Sequence, residues 1–393
     1  MVENATPPFA QLFSGVTVGK IRDVISKSGY PFQAVIAEVF RESSLRDAGQ
    51  LEIQEEWAYV DRESGETRSV DLFVNTVFRH GYEHPESKIR ASLSLVVECK
   101  QSELPYIFFL RHSPPTSRST FPEFGGLNST DIRVFPEGEL GGIRQNEDFS
   151  IWMSVSDALA LHELPFFNAP APYAISLAKA VRRGAKLELT GEEAYRGITL
   201  PLLKAADHLH SLIQPQPNSV LVFPKIIVNL AVVRAPMVGT FLHAGEQELM
   251  ALPWVRVGHL EPTLPDQLDR QRARITGNVR YFDVVHESFL PRYLEVLARD
   301  ATSAAERLHL HSTEIAAGVA MSDFSEGHEG LKPLPENHDL DLEKPCHMHI
   351  GRSPNALSIS VTKTGGEISD SESSAVVGWI DGYPWLDRPS GDD

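Results

Sequence analysis

Leu93–Lys100, LSLVVECK, is an unbroken run of Leu, Val and Ser that ends in Glu98, Cys99 and Lys100. Its density of Leu and Val, without Pro or Gly, predicts a central β-strand buried on both faces. Side chains alternate along a strand, so Glu98 and Lys100 project to one face and Cys99 to the other. A carboxylate and an ammonium at the end of a buried strand are costly unless they are paired, and a core strand does not need them for stability. The pair therefore points to chemistry.

A second acid lies upstream. Arg68–Val74, RSVDLFV, is an alternating β-branched strand with Asp71 in its apolar part. The segment DRESGE (61–66) before it is a hairpin turn in which Gly65 supplies a positive-φ position. Leu51–Val60 is the preceding strand. Side by side, these strands bring Asp71, Glu98 and Lys100 to one place. Two carboxylates and an amine suit phosphodiester hydrolysis, since Mg²⁺ is held by one or two carboxylates with water and phosphate oxygens. Such a metal makes bound water nucleophilic, and a neighbouring lysine orients it and stabilises developing charge.

Asp71, followed 27 positions later by Glu98-Cys99-Lys100, resembles the D…(D/E)xK pattern of the PD-(D/E)xK, or restriction-endonuclease-like, nuclease superfamily. The context is similar as well: a helix, a hairpin, the strand carrying the acid, VVECK closing the third strand, and YIFFLR (106–111) after it. The resemblance implies an α/β fold with a mixed central sheet flanked by helices, and nuclease activity on DNA more readily than RNA, in DNA processing or defence. It also implies Mg²⁺, with Mn²⁺ as a substitute, held by Asp71, Glu98 and the Cys99 carbonyl. Lys100 would position the water. Cleavage of both strands of a duplex requires two sites, hence a homodimer, although no stretch stands out as a dimerisation element.

The first helix, Phe32–Arg46, carries Phe32, Val35, Ile36, Val39 and Phe40 at helical spacing. Where the superfamily often has a metal-assisting glutamate, this chain has Gln33, whose amide would touch a metal-bound water. Glu38 lies well away from the apolar stripe and reads equally as a solvated carboxylate. Gln101 is either a phosphate or base contact or a turn amide. Arg111, at the end of YIFFLR, is a phosphate candidate. Arg182 and Arg183 end a segment, Tyr173–Gly184, whose apolar spacing predicts a basic helix suited to backbone contact. Gly191–Ile213 is predicted to be a helix interrupted near Pro201. Strands are expected over 219–230, 254–257 and 280–285, followed by a helix over 287–309. Asp283 and Glu287 read as a strand end and a helix N-terminus.

The chain has 393 residues, 42% hydrophobic, and a net charge of −17, which argues against indiscriminate nucleic-acid binding and requires any basic surface to be local. The expected organisation is a nuclease-type domain over 1–312, with loops and helices inserted at 113–218. An acidic, partly disordered tail covers 313–393. Cys346-His347-Met348-His349 in that tail lacks a fourth spaced zinc ligand. Two distant cysteines, no apolar run of membrane-spanning length and no signal-peptide pattern predict a cytoplasmic protein with no membrane partner. Two alternatives stay open: a catalytically silent nuclease-fold module that binds nucleic acid or a protein, and an unrelated α/β protein with a structural Glu98–Lys100 pair.

Overall fold

A computed structural model describes residues 15–79, 89–111, 118–137, 151–168, 173–215, 221–243, 246–261, 278–323, 331–332, 346–353 and 356–363. Most of the expected tail lies outside the described residues. The fold is mixed α/β, built on one 13-stranded sheet.

Two helices open the chain, α1 (Val18–Lys27) and α2 (Tyr30–Arg41). Pro31 sits in the first turn of α2, where its missing N–H costs nothing. The long strands β1 (Gly49–Val60), β2 (Thr67–Phe78) and β3 (Ser92–Gln101) follow as an antiparallel meander. Gly65, at φ +72°, makes the first turn as its sequence context predicts. β4 (Tyr106–Arg111) comes next, then the short strands β5 (Arg118–Thr120), β6 (Glu123–Gly125), β7 (Asp131–Glu137) and β8 (Ile151–Ser154). β9 (Tyr173–Arg183) and β10 (Lys186–Thr190) form a hairpin ahead of helix α3 (Leu200–Leu212). The distal half supplies β11 (Lys225–Arg234), β12 (Met237–His243), β13 (Glu246–Ala251), β14 (Trp254–Glu261), β15 (Asn278–His286) and the long helix α4 (Leu290–Leu310).

The main path through the sheet runs β1-β2-β3-β11-β15-β14-β9-β4-β12-β13. β3, β11 and β15 are parallel, so the LSLVVECK strand is enclosed by neighbours on both sides. Its burial on both faces follows from helices on each side of the sheet. α2 and α4 cover one face with a core that includes Phe32, Ile36, Phe40, Leu93, Leu95, Val97 and Leu297. α3 covers the other with Leu202, Ala205 and Leu209 against Val96, Ala231 and Val233. Among the described residues no helix is long and apolar enough to cross a membrane.

One expectation is corrected. Tyr173–Arg183 is a strand, not a basic helix, and pairs antiparallel with β4. Beyond its buried start at Tyr173 and Ala174, its buried residues Ala178 and Ala180 lie two apart, a period of two that the good helix propensity of Ala disguises. Residues 173–183 are thus woven into the main sheet between β14 and β4. The helical run from Gly191 is interrupted near Pro201 as expected: a π-helical turn at Tyr195–Thr199 separates its first turn from α3, and the proline takes the first turn of α3. In the tail, a strand at Ala356–Lys363 pairs with Cys346–Ser353.

Two bends turn the sheet beside the end of β3. β3 leads through Ser102–Pro105 into β4 as β11 leads through Ala235–Pro236 into β12, and β4 and β12 pair in parallel as β3 and β11 do. Ser102 N–H donates to the Arg234 carbonyl at 3.0 Å and Tyr106 N–H to the Pro236 carbonyl at 2.9 Å, so the two bends are stitched together. YIFFLR therefore follows β3 along the chain but is not its neighbour in the sheet, where it lies between β9 and β12.

Candidate active site

The β2–β3 ladder runs in regular register from Val77↔Ser92 to Leu72↔Val97 and stops there, one step short of Asp71 and Glu98. The other neighbour of β2 is irregular at the same level. β1 pairs Glu55 with Leu72 and Trp57 with Val70, and the skipped residue, Glu56, has φ +51°. A non-glycine residue in the left-handed region is uncommon and mildly strained. Its effect is a change of phase. Leu51 and Ile53 pack toward the α2 core, whereas Trp57 and Tyr59 belong to the α3 core. The same switch separates Leu72 and Val74 from Val70 on β2.

Asp71 sits at this switch and replaces the lost ladder with its own groups. Its Oδ2 accepts the Cys99 backbone N–H at 2.6 Å, and its carbonyl accepts Gln33 Nε2 from α2 at 2.9 Å. Gln33 is buried for this purpose. The amide therefore supports the site through the Asp71 backbone, and only a donor fits that position. Gln33→Ala is expected to leave a carbonyl without its side-chain donor and to cost about 1–3 kcal/mol in urea unfolding. Gln33→Glu is expected to lose more stability at pH 8 than at pH 5, because only a protonated carboxyl can donate to the carbonyl.

Glu98 is 3% exposed, yet Lys100 Nζ lies 2.5 Å from its Oε2 and 3.7 Å from Asp71 Oδ2. The ammonium thus bridges both carboxylates. Burial, against the pull of Lys100 and with a further push from the neighbouring Asp71 carboxylate, raises the Glu98 carboxyl to about 7. Burial also pulls the Lys100 amine down, but Glu98 and Asp71 outweigh it, and the net shift is upward. Cys99 presents its backbone to the site and buries its thiol, which burial and the two acids push well above its ordinary value. The lysine and Asp71 side chains keep 30% and 24% exposure, so the pair is reached from solvent while Glu98 forms the floor.

The other candidates are spread out. Glu38 is an exposed partner of Arg41, in line with a solvated carboxylate. Gln101 Nε2 donates to the Ser28 carbonyl at the end of α1, 3.0 Å away, which ties α1 to the end of β3. Arg111 lies at the end of β4 remote from Tyr106, paired with Tyr173, and its Nη1 donates to the Leu110 carbonyl. Arg182 and Arg183 are exposed on the β9–β10 hairpin. Asp283, expected at a strand end, is instead fully buried against Arg256, and Glu287 clamps Arg234 with both oxygens.

A second ionic cluster had no signal in the sequence. Glu123, in the loop-rich stretch after β4, is buried and accepts both Arg280 Nε and Nη2, with His210 Nε2 at 2.8 Å. Burial pushes its carboxyl up, but Arg280 and His210 bring it down to about 2. It lines a cavity of about 270 Å³ with His210, Glu261 and Arg280.

For a divalent metal, the donor set fits a hard, oxygen-preferring ion that keeps several waters, since Asp71 and Glu98 supply carboxylates at a place already holding a cationic group. Among the described residues no group of three or more His, Cys, Asp or Glu forms an all-protein metal cage. No model of a known protein family, no curated protein and no solved structure matches the chain.

Proposed function

We propose that the chain is a metal-dependent phosphodiester hydrolase of restriction-endonuclease-like fold that acts on nucleic acid, DNA in preference to RNA. The observation that carries this reading is the opened end of the β2–β3 ladder. There a solvent-reached aspartate, a buried glutamate and a lysine contact one another. A purely structural ion pair needs no third charged group and no break in the ladder. Asp71 and Glu98 would hold Mg²⁺ or Mn²⁺, which when bound supplies Lewis acidity to a phosphoryl oxygen and a more acidic water. Lys100 would leave its carboxylate partners, orient the attacking water and stabilise negative charge on the phosphoryl group. Glu98 must lose its proton to act as a ligand.

Cleavage of linear and circular duplex DNA, single-stranded DNA and RNA in Mg²⁺ or Mn²⁺, with Lys100→Ala in parallel, tests this. The parent should cut DNA and the variant should not. A Glu98 carboxyl near pH 7 predicts about tenfold faster cleavage at pH 8 than at pH 6 at subsaturating metal, levelling off above. The metal-free protein should show the opposite trend in stability. Since the folded carboxyl holds its proton more tightly than the ordinary value of 4.5, its stabilising contribution is complete below that value and is lost as pH rises through about 7. Equal cleavage by parent and Lys100→Ala, or none in any metal, would remove the hydrolase reading. The acidic balance of the chain favours a second reading in the latter case, a silent binding module of the same fold.

A further inference from the structure

β9 outruns the sheet. Its last pair with β4 is Lys179↔Tyr106, and beyond it the strand pairs with β10 alone, from Thr190↔Lys179 to Lys186↔Arg183. Gly184 and Ala185 form a two-residue turn with Gly184 at φ +62°, the positive-φ first position of a type II′ hairpin. Eight consecutive residues, Arg182–Leu189, are exposed. A two-stranded ribbon exposed on both faces has no core to serve. Its root is tied beside the candidate site: Ala180 N–H donates to the carbonyl of Pro105 at 2.9 Å, in the bend that follows Lys100 and Gln101.

The ribbon's composition opposes that of the chain. Arg182, Arg183 and Lys186 face one carboxylate, Glu188, in a protein of net charge −17. Glu188 lies 3.3 Å from Arg183, and among the described residues no carboxylate pairs with Arg182 or Lys186. The cross-strand register places Arg182 beside Leu187 on one face and Arg183 beside Lys186 on the other. Leu187 and Leu189 are 59% and 54% exposed.

We propose that the β9–β10 ribbon grips duplex DNA by entering its major groove next to the Asp71–Glu98–Lys100 site. This rests on the nucleic-acid reading above and deepens it by naming the surface that holds the duplex. The B-DNA major groove, about 12 Å wide, admits a two-stranded β-ribbon, whereas the major groove of A-form RNA is too deep and narrow for side-chain reading. Arg183 and Lys186 on one face suit phosphates. Arg182 with its flanking leucines suits base edges and thymine methyl groups.

Binding of the full chain to fluorescent duplexes of about 30 base pairs, one DNA and one RNA, in metal-free buffer over a salt series, tests the inference without requiring cleavage. The parent should prefer DNA. The Arg182→Gln/Lys186→Gln double variant, with an unchanged melting temperature, should bind DNA about tenfold more weakly, with a salt slope smaller by about 1 for the phosphate contact of Lys186. An unchanged affinity and slope in the variant would overturn the proposal. So would equal affinity for RNA, no duplex binding by the parent, or binding only to phosphatidylserine vesicles. Cleavage in Mg²⁺ separates the two readings. If the parent cuts DNA and the double variant binds and cuts as well as the parent, the site stands and the ribbon falls. Ribbon-dependent binding without cleavage in any metal means the reverse.

Discussion

Asp71→Asn is expected to fold and to lose cleavage by a factor of about 10³ or more, while Asp71→Ala should lose the same activity and fold less stably. The two substitutions part because Asp71 has two tasks. Its Oδ2 accepts the Cys99 N–H at a level where the β2–β3 ladder has already ended. An amide oxygen can still accept that bond, but an alanine leaves the N–H with no partner in the strand, at a cost of about 1–3 kcal/mol. The charge is a separate matter. Asparagine removes one of the two carboxylates that face Lys100, and with it half of the anionic donor set for a divalent metal. Urea unfolding of both variants and cleavage in Mg²⁺ report the two tasks independently. If Asp71→Asn keeps near-parental cleavage, Asp71 is a strand-end cap and no more, and the hydrolase reading loses its first ligand.

How much of this was legible beforehand depended on where each residue's partners lie. LSLVVECK announced itself because burial on both faces demands continuous apolar residues, and an interrupting Glu98 and Lys100 then had to be explained. Asp71 was legible for the same reason, as one acid in an alternating strand. Gln33 was visible as a position, but its function was not. The bond to the Asp71 carbonyl joins residues 38 apart, and no local pattern encodes which backbone group is left open at the end of a ladder. The sequence reading failed at Tyr173–Arg183, where three buried alanines leave a weak alternation and Ile175 lies exposed. Pairing with β4 overrode local propensity there. The same strand assignment turned Arg182 and Arg183 from helix-end cations into the tip of a ribbon. Glu123 was out of reach altogether, since Arg280 lies 157 residues away.

Arg256 and Asp283 show the same limit most clearly, and they carry the largest expected effect on stability. They are direct cross-strand partners on β14 and β15, 1% and 0% exposed. The guanidinium donates Nε and Nη2 to the two carboxylate oxygens at 2.8 and 2.9 Å and Nη1 to the Phe166 carbonyl at 3.0 Å. Phe121 stacks under it at 3.5 Å from the ring centroid, and Tyr293 Oη donates to Asp283 Oδ2 at 2.8 Å. Two strands, helix α4 and the segment around Phe166 therefore meet on one pair of charges. Asp283→Ala is expected to cost about 3–5 kcal/mol in urea unfolding, because it strands a buried guanidinium. The double substitution Arg256→Met/Asp283→Leu should cost less than Asp283→Ala alone, since it removes both charges and keeps apolar volume. A loss below about 1 kcal/mol for Asp283→Ala would mean that water reaches Arg256 and that the network is not dry. Any cleavage by the folded double variant should match the parent per folded molecule, because β11 and β15 separate β14 from β3 in the sheet and the network touches none of Asp71, Glu98 and Lys100. A catalytic loss in that variant beyond its unfolded fraction would place the network inside the working site, where its geometry gives no reason for it to be.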